Sequence, residues 1–67
     1  MSDGAHRVAF DDVHVVGAND LVMLCRIGSR IVEVSPLHIL PGTTISGHGD
    51  RGRLVLSQDV ALNLGLM

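Results

Sequence analysis

The sequence predicts a mostly β fold: a small bent antiparallel sheet or open barrel of about five strands, closed by a short C-terminal helix. Three features carry the prediction. Two runs rich in β-branched and aliphatic residues meet at a Gly28-Ser29 turn. An alternating apolar run upstream changes phase at Asp11-Asp12. Ser57 precedes the one segment whose apolar residues share a helical face. With 67 residues there is room for a single small domain, 1–67, in which Met1 to Ala5 is the expected ragged end.

His6 to Val16 alternates as Val8, Phe10 and then Val13, Val15. The one-residue shift at Asp11-Asp12 is how a β-bulge or bend reads in a sequence, so a bent first strand is expected. A three-residue loop, Gly17-Ala18-Asn19 with Asn19 left-handed, would put Val13 and Val15 on the same face as Leu21 and Met23. Next comes the hairpin, Leu21 to Ile27 and Arg30 to Ser35, joined by two residues with Gly first. That loop length sets Ile27 opposite Arg30, Cys25 opposite Val32 and Met23 opposite Val34. Leu21, Met23, Cys25, Ile27, Val32 and Val34 then form a core face. The reverse face carries Val22, Leu24, Arg26, Ile31, Glu33 and Ser35, and is apolar enough to be half covered.

Ser35-Pro36 ends or edges the second hairpin strand, with Leu37 to Leu40 as its continuation, and Leu40-Pro41-Gly42-Thr43 reads as a type II turn. Thr43 to Ser46 and Arg53 to Leu56 are expected as two short strands around a flexible loop, Gly47 to Gly52. Ser57 caps a helix running through Leu64, with Asp59 in its first turn, Val60, Ala61 and Leu64 on one face, and Gly65 as the terminator.

Composition narrows the function classes. The chain is 46% hydrophobic with one aromatic residue, Phe10, and its basic residues are five Arg and no Lys. This is too apolar for disorder. The longest uncharged apolar run, Leu21 to Cys25, is far short of the roughly 20 residues of a membrane span, and no basic segment leads into an apolar stretch at the N-terminus. A cytoplasmic protein without a membrane partner is the expectation. A net charge of −2 gives no whole-chain attraction to nucleic acid. One cysteine makes no internal disulfide, and no zinc-ligand spacing is present.

Gly47-His48-Gly49-Asp50-Arg51-Gly52 matches the dinucleotide pattern G-x-G-x-x-G, but a strand follows it instead of a helix. The fifteen residues after Gly52 also leave no room for a crossover and a second strand. It therefore reads as a loop. His6, His14, His38 and His48 lack ligand spacing, with His14 and His38 facing away from apolar neighbours within strands, and Cys25 falls on the core face as a small hydrophobe. No nucleophile and base arrangement is evident, so neither enzyme activity nor a cofactor or metal is expected. His48, Arg51 and Arg53 form the one local basic cluster, with Asp50 diluting its field.

Gly52-Arg53-Leu54-Val55-Leu56, then Leu64-Gly65-Leu66 after a short helix, resembles the core segment of swapped-hairpin transcription factors of the AbrB, MazE and MraZ type. Asp59 stands where that family often has an acid, and Ser57 replaces its usual Pro. The resemblance covers Gly52 to Leu66. It implies a small β-rich dimer that binds DNA through basic residues of the sheet and its loops, with Arg53 the residue carried over.

Twenty-two residues are Val, Leu or Ile, more aliphatic surface than so small a body hides. Dimerisation or a protein partner is expected. The leading reading is a non-catalytic binding or adaptor module acting through protein contacts at Val22, Leu24 and Ile31, of a kind that small mobile-element or phage reading frames encode. The alternative is a swapped-hairpin-like dimeric DNA-binding regulator using His48, Arg51 and Arg53.

Overall fold

In the computed structural model, which describes residues 6–67, the chain runs through strand β1 (Arg7–Ala18), β2 (Met23–Ile27), β3 (Arg30–Val34), a 3-10 turn (Pro36–His38), β4 (Arg51–Ser57) and helix α1 (Gln58–Asn63). The expectation for residues 1–5 lies outside the described residues. The four strands form one open antiparallel sheet in the order β3-β2-β1-β4. The mostly β class and the short C-terminal helix are as the sequence predicts.

The β2–β3 hairpin adopts the expected register: Ile27 pairs with Arg30, Cys25 with Val32 and Met23 with Val34. Gly28 takes a positive φ of 64° in the turn, which its missing Cβ permits without strain. Met23, Cys25, Val32 and Val34 are buried, and join Val13, Val15, Ile45, Leu54 and Leu56 in one core. Burial of an aliphatic side chain of this size contributes about 1.5–3 kcal/mol relative to leaving it exposed.

β1 bends where the phase shift predicts. Phe10 pairs with Leu54 and Val13 with Gly52, so Asp11 and Asp12 together oppose Arg53, and Asp12 adopts φ 63°, a conformation Asp tolerates. A second irregularity follows. Val15 pairs with Cys25 and Gly17 with Leu24, leaving Val16 as an extra residue. This bulge, and not a three-residue loop, brings Val13, Val15 and Met23 onto one face. β1 continues to Ala18, and Asn19 is not left-handed. Its side-chain Oδ1 accepts from the backbone N–H groups of Leu21 (2.8 Å) and Val22 (2.9 Å), turning the chain before β2 begins. Leu21 is consequently 78% exposed and not part of the core face.

Three further expectations are corrected. Leu37 to Leu40 does not extend β3: Ser35 accepts from Leu37 N and Pro36 starts the 3-10 turn, which leaves His38 outside any strand. The sheet has four strands, because Thr43 to Ser46 lies along the outer edge of β4 with too few ladder bonds for a fifth. There Leu40 N donates to Val55 O (3.0 Å) and Thr44 N to Arg53 O (2.9 Å), while the hydroxyls of Thr43 and Thr44 accept from Val55 N and Arg53 N. The expected turn at Leu40 to Thr43 is present, with Gly42 at φ 103°. Finally, the turn expected over Gly47 to Gly52 ends at Asp50: Arg51 and Gly52 already belong to β4, which is longer than the expected Arg53 to Leu56.

Ser57 Oγ accepts from Val60 N at 3.3 Å and starts α1. At the other end Gly65 has φ 76°, with Gly65 N bonded to Leu62 O and Leu66 N to Ala61 O, the paired bonds of a Schellman motif. Ala61 is buried, and Val60, Leu64 and Leu66 pack against the core from the helix side.

Candidate functional site

The solvent face of the sheet, opposite α1, is ordered by cross-strand register. His14 of β1 pairs with Arg26 of β2 on one side and Arg51 of β4 on the other, and Arg26 pairs in turn with Ile31 of β3. Directly opposed residues project from the same face. Ile31, Arg26, His14 and Arg51 therefore form one row across all four strands. Their basic members, with Asp11, Asp12 and Gly28, line an open cleft of about 460 Å³. Sequence reading missed this row, because the residues are brought together by pairing between segments far apart in the chain. The phase shift at Asp11-Asp12 was its one local sign.

The three residues predicted for partner contact sit unequally on this face. Leu24, opposite Glu33 and Gly17, is half-buried because its side chain lies across Gly17, where a Cβ would come within 3.2 Å of Leu24 Cδ1. Val22, just before β2, is half-buried too. Ile31, on the outermost strand, is 55% exposed. Leu21 and Leu37 add apolar surface at the end of the sheet where Met23 pairs with Val34, Leu37 being 91% exposed.

The predicted basic cluster is divided. Arg51 donates through Nε to Asp12 Oδ1 at 3.1 Å, with Nη2 at 3.0 Å from the same oxygen, and Arg53 Nε lies 3.2 Å from Asp11 Oδ1. All four side chains are largely exposed, so each pair contributes at most about 1 kcal/mol, but each cation has an acid beside it. The bulge is responsible, since it aims two consecutive carboxylates at β4. His48 is exposed in the turn before β4.

That turn is held from within. Asp50 Oδ2 accepts from Ser46 N (2.8 Å), Gly47 N (2.9 Å) and Ser46 Oγ (3.0 Å). Gly49 N donates to Val15 O, and Val15 N to Asp50 O, which ties the turn to β1. The backbone N–H of Ser46, then that of Gly47 and the Ser46 hydroxyl, hold the Asp50 carboxyl below its usual range. Of its glycines Gly49 serves this turn, with φ 89°, and a strand follows, as the failed dinucleotide context implies.

Cys25 is fully buried in the core, and burial pushes its thiol up, away from the reactive thiolate. Among the described residues no group of three His, Cys, Asp or Glu side chains is placed to hold a metal ion, and no helix is long and apolar enough to cross a membrane. No family model, curated protein or solved structure matches this chain.

Proposed function

We propose that the protein is a non-catalytic contact module that acts by binding another protein, or a second copy of itself, along β3 and the adjoining solvent face. The observation that carries this reading is the asymmetry of the two sheet edges. Residues 40–44 cover the outer edge of β4 through backbone and threonine hydroxyl bonds, whereas β3 stands at the other limit of the sheet with Ile31 exposed beside it. An uncovered strand presents unpaired N–H and C=O groups and templates the addition of another strand. Ile31 supplies an apolar contact next to that template. Leu24 of β2, and Val22 just before that strand, continue it on the same side.

A dimeric DNA-binding regulator is the second reading, favoured by the row of Arg26, His14 and Arg51 and by the resemblance over Gly52 to Leu66, which spans β4 and α1. The acids beside Arg51 and Arg53 count against it, because counterion release needs cations free to meet phosphates.

Photo-cross-linking from position 31 in the cell of origin, with position 59 on the exposed side of α1 as the control, tests the first reading. A discrete protein adduct from position 31 and none from position 59 is expected. Equal labelling from both positions overturns it. DNA binding measured at two salt concentrations near 100 mM, roughly the range where phosphate contacts are strongly screened, tests the second. No salt-sensitive binding is expected from the wild type. Tight salt-sensitive binding, lost on replacing Arg51 and Arg53 by Ala, would establish the regulator instead.

A further inference from the structure

The outer edge of β3 is open along its length among the described residues. Among the described residues, no backbone hydrogen bond outside the β2 ladder involves Arg30 to Val34. Arg30, itself exposed, reaches to the end of α1, where a Cβ on Gly65 would meet its Nη1 at 2.6 Å, so its long side chain is directed to the helix side of the sheet and away from the edge. We propose that a second copy of this chain occupies that edge, the two β3 strands pairing antiparallel about a two-fold axis at Val32. This rests on the contact-module reading and names its partner.

Three physical constraints select the register. A slip by one residue would turn the core face of one copy toward the solvent side of the other, so only registers that keep the face are allowed. Centring the pair on Glu33 would set two carboxylates directly opposite each other, which is destabilising. Centring it on Ile31 would leave Val34 unpaired. The Val32 register alone engages all five residues of both strands and places Ile31 opposite the partner's Glu33.

Charge then falls into place on the solvent face. Arg26 opposes Ile31 within one copy, so the row across the junction reads Arg26, Ile31 and the partner's Glu33. Arg26 and the partner's Glu33 are two strand spacings apart, about 10 Å between backbones, which two extended side chains span across the apolar Ile31. Neither Arg26 nor Glu33 has an ion-pair partner among the described residues of the single chain. The two-fold axis makes this contact twice. Closure follows as well: the far edge of each copy is β4, already covered by residues 40–44, so pairing through β3 ends at two copies and does not propagate.

Five residues per strand make a small interface, so a concentration-dependent dimer with a dissociation constant on the order of tens of micromolar is expected. Sedimentation equilibrium of the full chain up to about 200 μM tests it, a range that brackets such a constant. The wild type should shift from 7.1 kDa toward twice that mass. Glu33→Arg should weaken the dimer at least about tenfold by setting it against Arg26, and Glu33→Arg with Arg26→Glu should restore it. Ile31→Glu, at an exposed position that leaves the core untouched, should also dissociate it by opposing two acids. A wild type that stays at 7.1 kDa throughout overturns the proposal, and so does a dimer indifferent to both Glu33→Arg and Ile31→Glu. A monomeric wild type that still gives a discrete adduct with a different protein from position 31 defeats the self-pairing while the contact-module reading stands. Monomer together with equal labelling from positions 31 and 59 defeats both.

Discussion

Thr44 and Arg53 bond to each other twice: Thr44 N donates to Arg53 O at 2.9 Å, and Thr44 Oγ1 accepts from Arg53 N at 2.8 Å. A hydroxyl thus does at this position what a strand carbonyl would do in a regular ladder. Thr43 repeats the arrangement two residues along β4, its Oγ1 accepting from Val55 N at 2.9 Å. The result is an edge whose central residues, Arg53 and Val55, are satisfied by an irregular segment, which leaves neither for a neighbouring strand to pair with. Close approach of Thr44 is possible because Gly52 has no side chain.

Gly52→Ala should therefore destabilise the fold by about 1–3 kcal/mol. The added Cβ would press on Thr44 Oγ1, which is already committed to Arg53 N. Thr44→Ser keeps the hydroxyl and should cost less than about 0.5 kcal/mol, whereas Thr44→Val should cost about 0.5–1.5 kcal/mol by removing the acceptor of the solvent-accessible Arg53 N–H. Urea denaturation of the three variants decides. Gly52→Ala unfolding at the wild-type midpoint would show that Thr44 does not need the space.

Val34 and Glu33 are neighbours in sequence on opposite faces of β3, Val34 1% exposed and paired with Met23, Glu33 open to solvent. Val34→Asp places an unpaired charge in the core of a domain whose size implies a stability of only about 3–10 kcal/mol, and should abolish the cooperative melt. Glu33→Gln should shift stability by less than about 1 kcal/mol. Circular dichroism melts of the two variants at the same low concentration separate them.

Asp50 gives the turn at residues 46–50 a dependence on pH. Its carboxyl is held below the ordinary value of about 3.9 by the Ser46 and Gly47 N–H groups and the Ser46 hydroxyl. A depressed folded-state value means that the stabilisation is fully present above that ordinary value and is lost as pH falls through the folded value. The stability gap between wild type and Asp50→Asn should be constant from about pH 5 to 7 and shrink below about pH 4. A gap unchanged down to about pH 2 would show that the charge on Asp50 is irrelevant to the turn.

Cys25 should report on global opening. Its side chain is fully buried between Val15 and Val32 in the register, and desolvation raises its pKa. Alkylation by iodoacetamide at about pH 8 should proceed slowly in the native protein and speed up with denaturant in parallel with unfolding. Native-state labelling as fast as a free thiol in a peptide would contradict the placement of β2 between β1 and β3.

What the sequence determined by itself was everything whose cause is local. The Gly28-Ser29 turn fixes the register of Met23 to Val34, the break in alternation at Asp11-Asp12 is the bulge, and Ser57 with Gly65 bounds the helix, because loop length, side-chain period and capping are properties of a few adjacent residues. Locality also misled. Leu21 carries the strand pattern but is drawn out by the Asn19 side chain, and Thr43 to Ser46 has strand composition but bonds through hydroxyls. Only tertiary structure decided that the odd residue between β1 and β2 is Val16, that Asp11 and Asp12 meet Arg53 and Arg51 across about forty residues, and that Arg26, His14 and Arg51 stand in one row. Those relationships depend on which strands lie side by side. Strand order is set by how the whole chain buries its aliphatic face, and no short stretch of sequence contains that information.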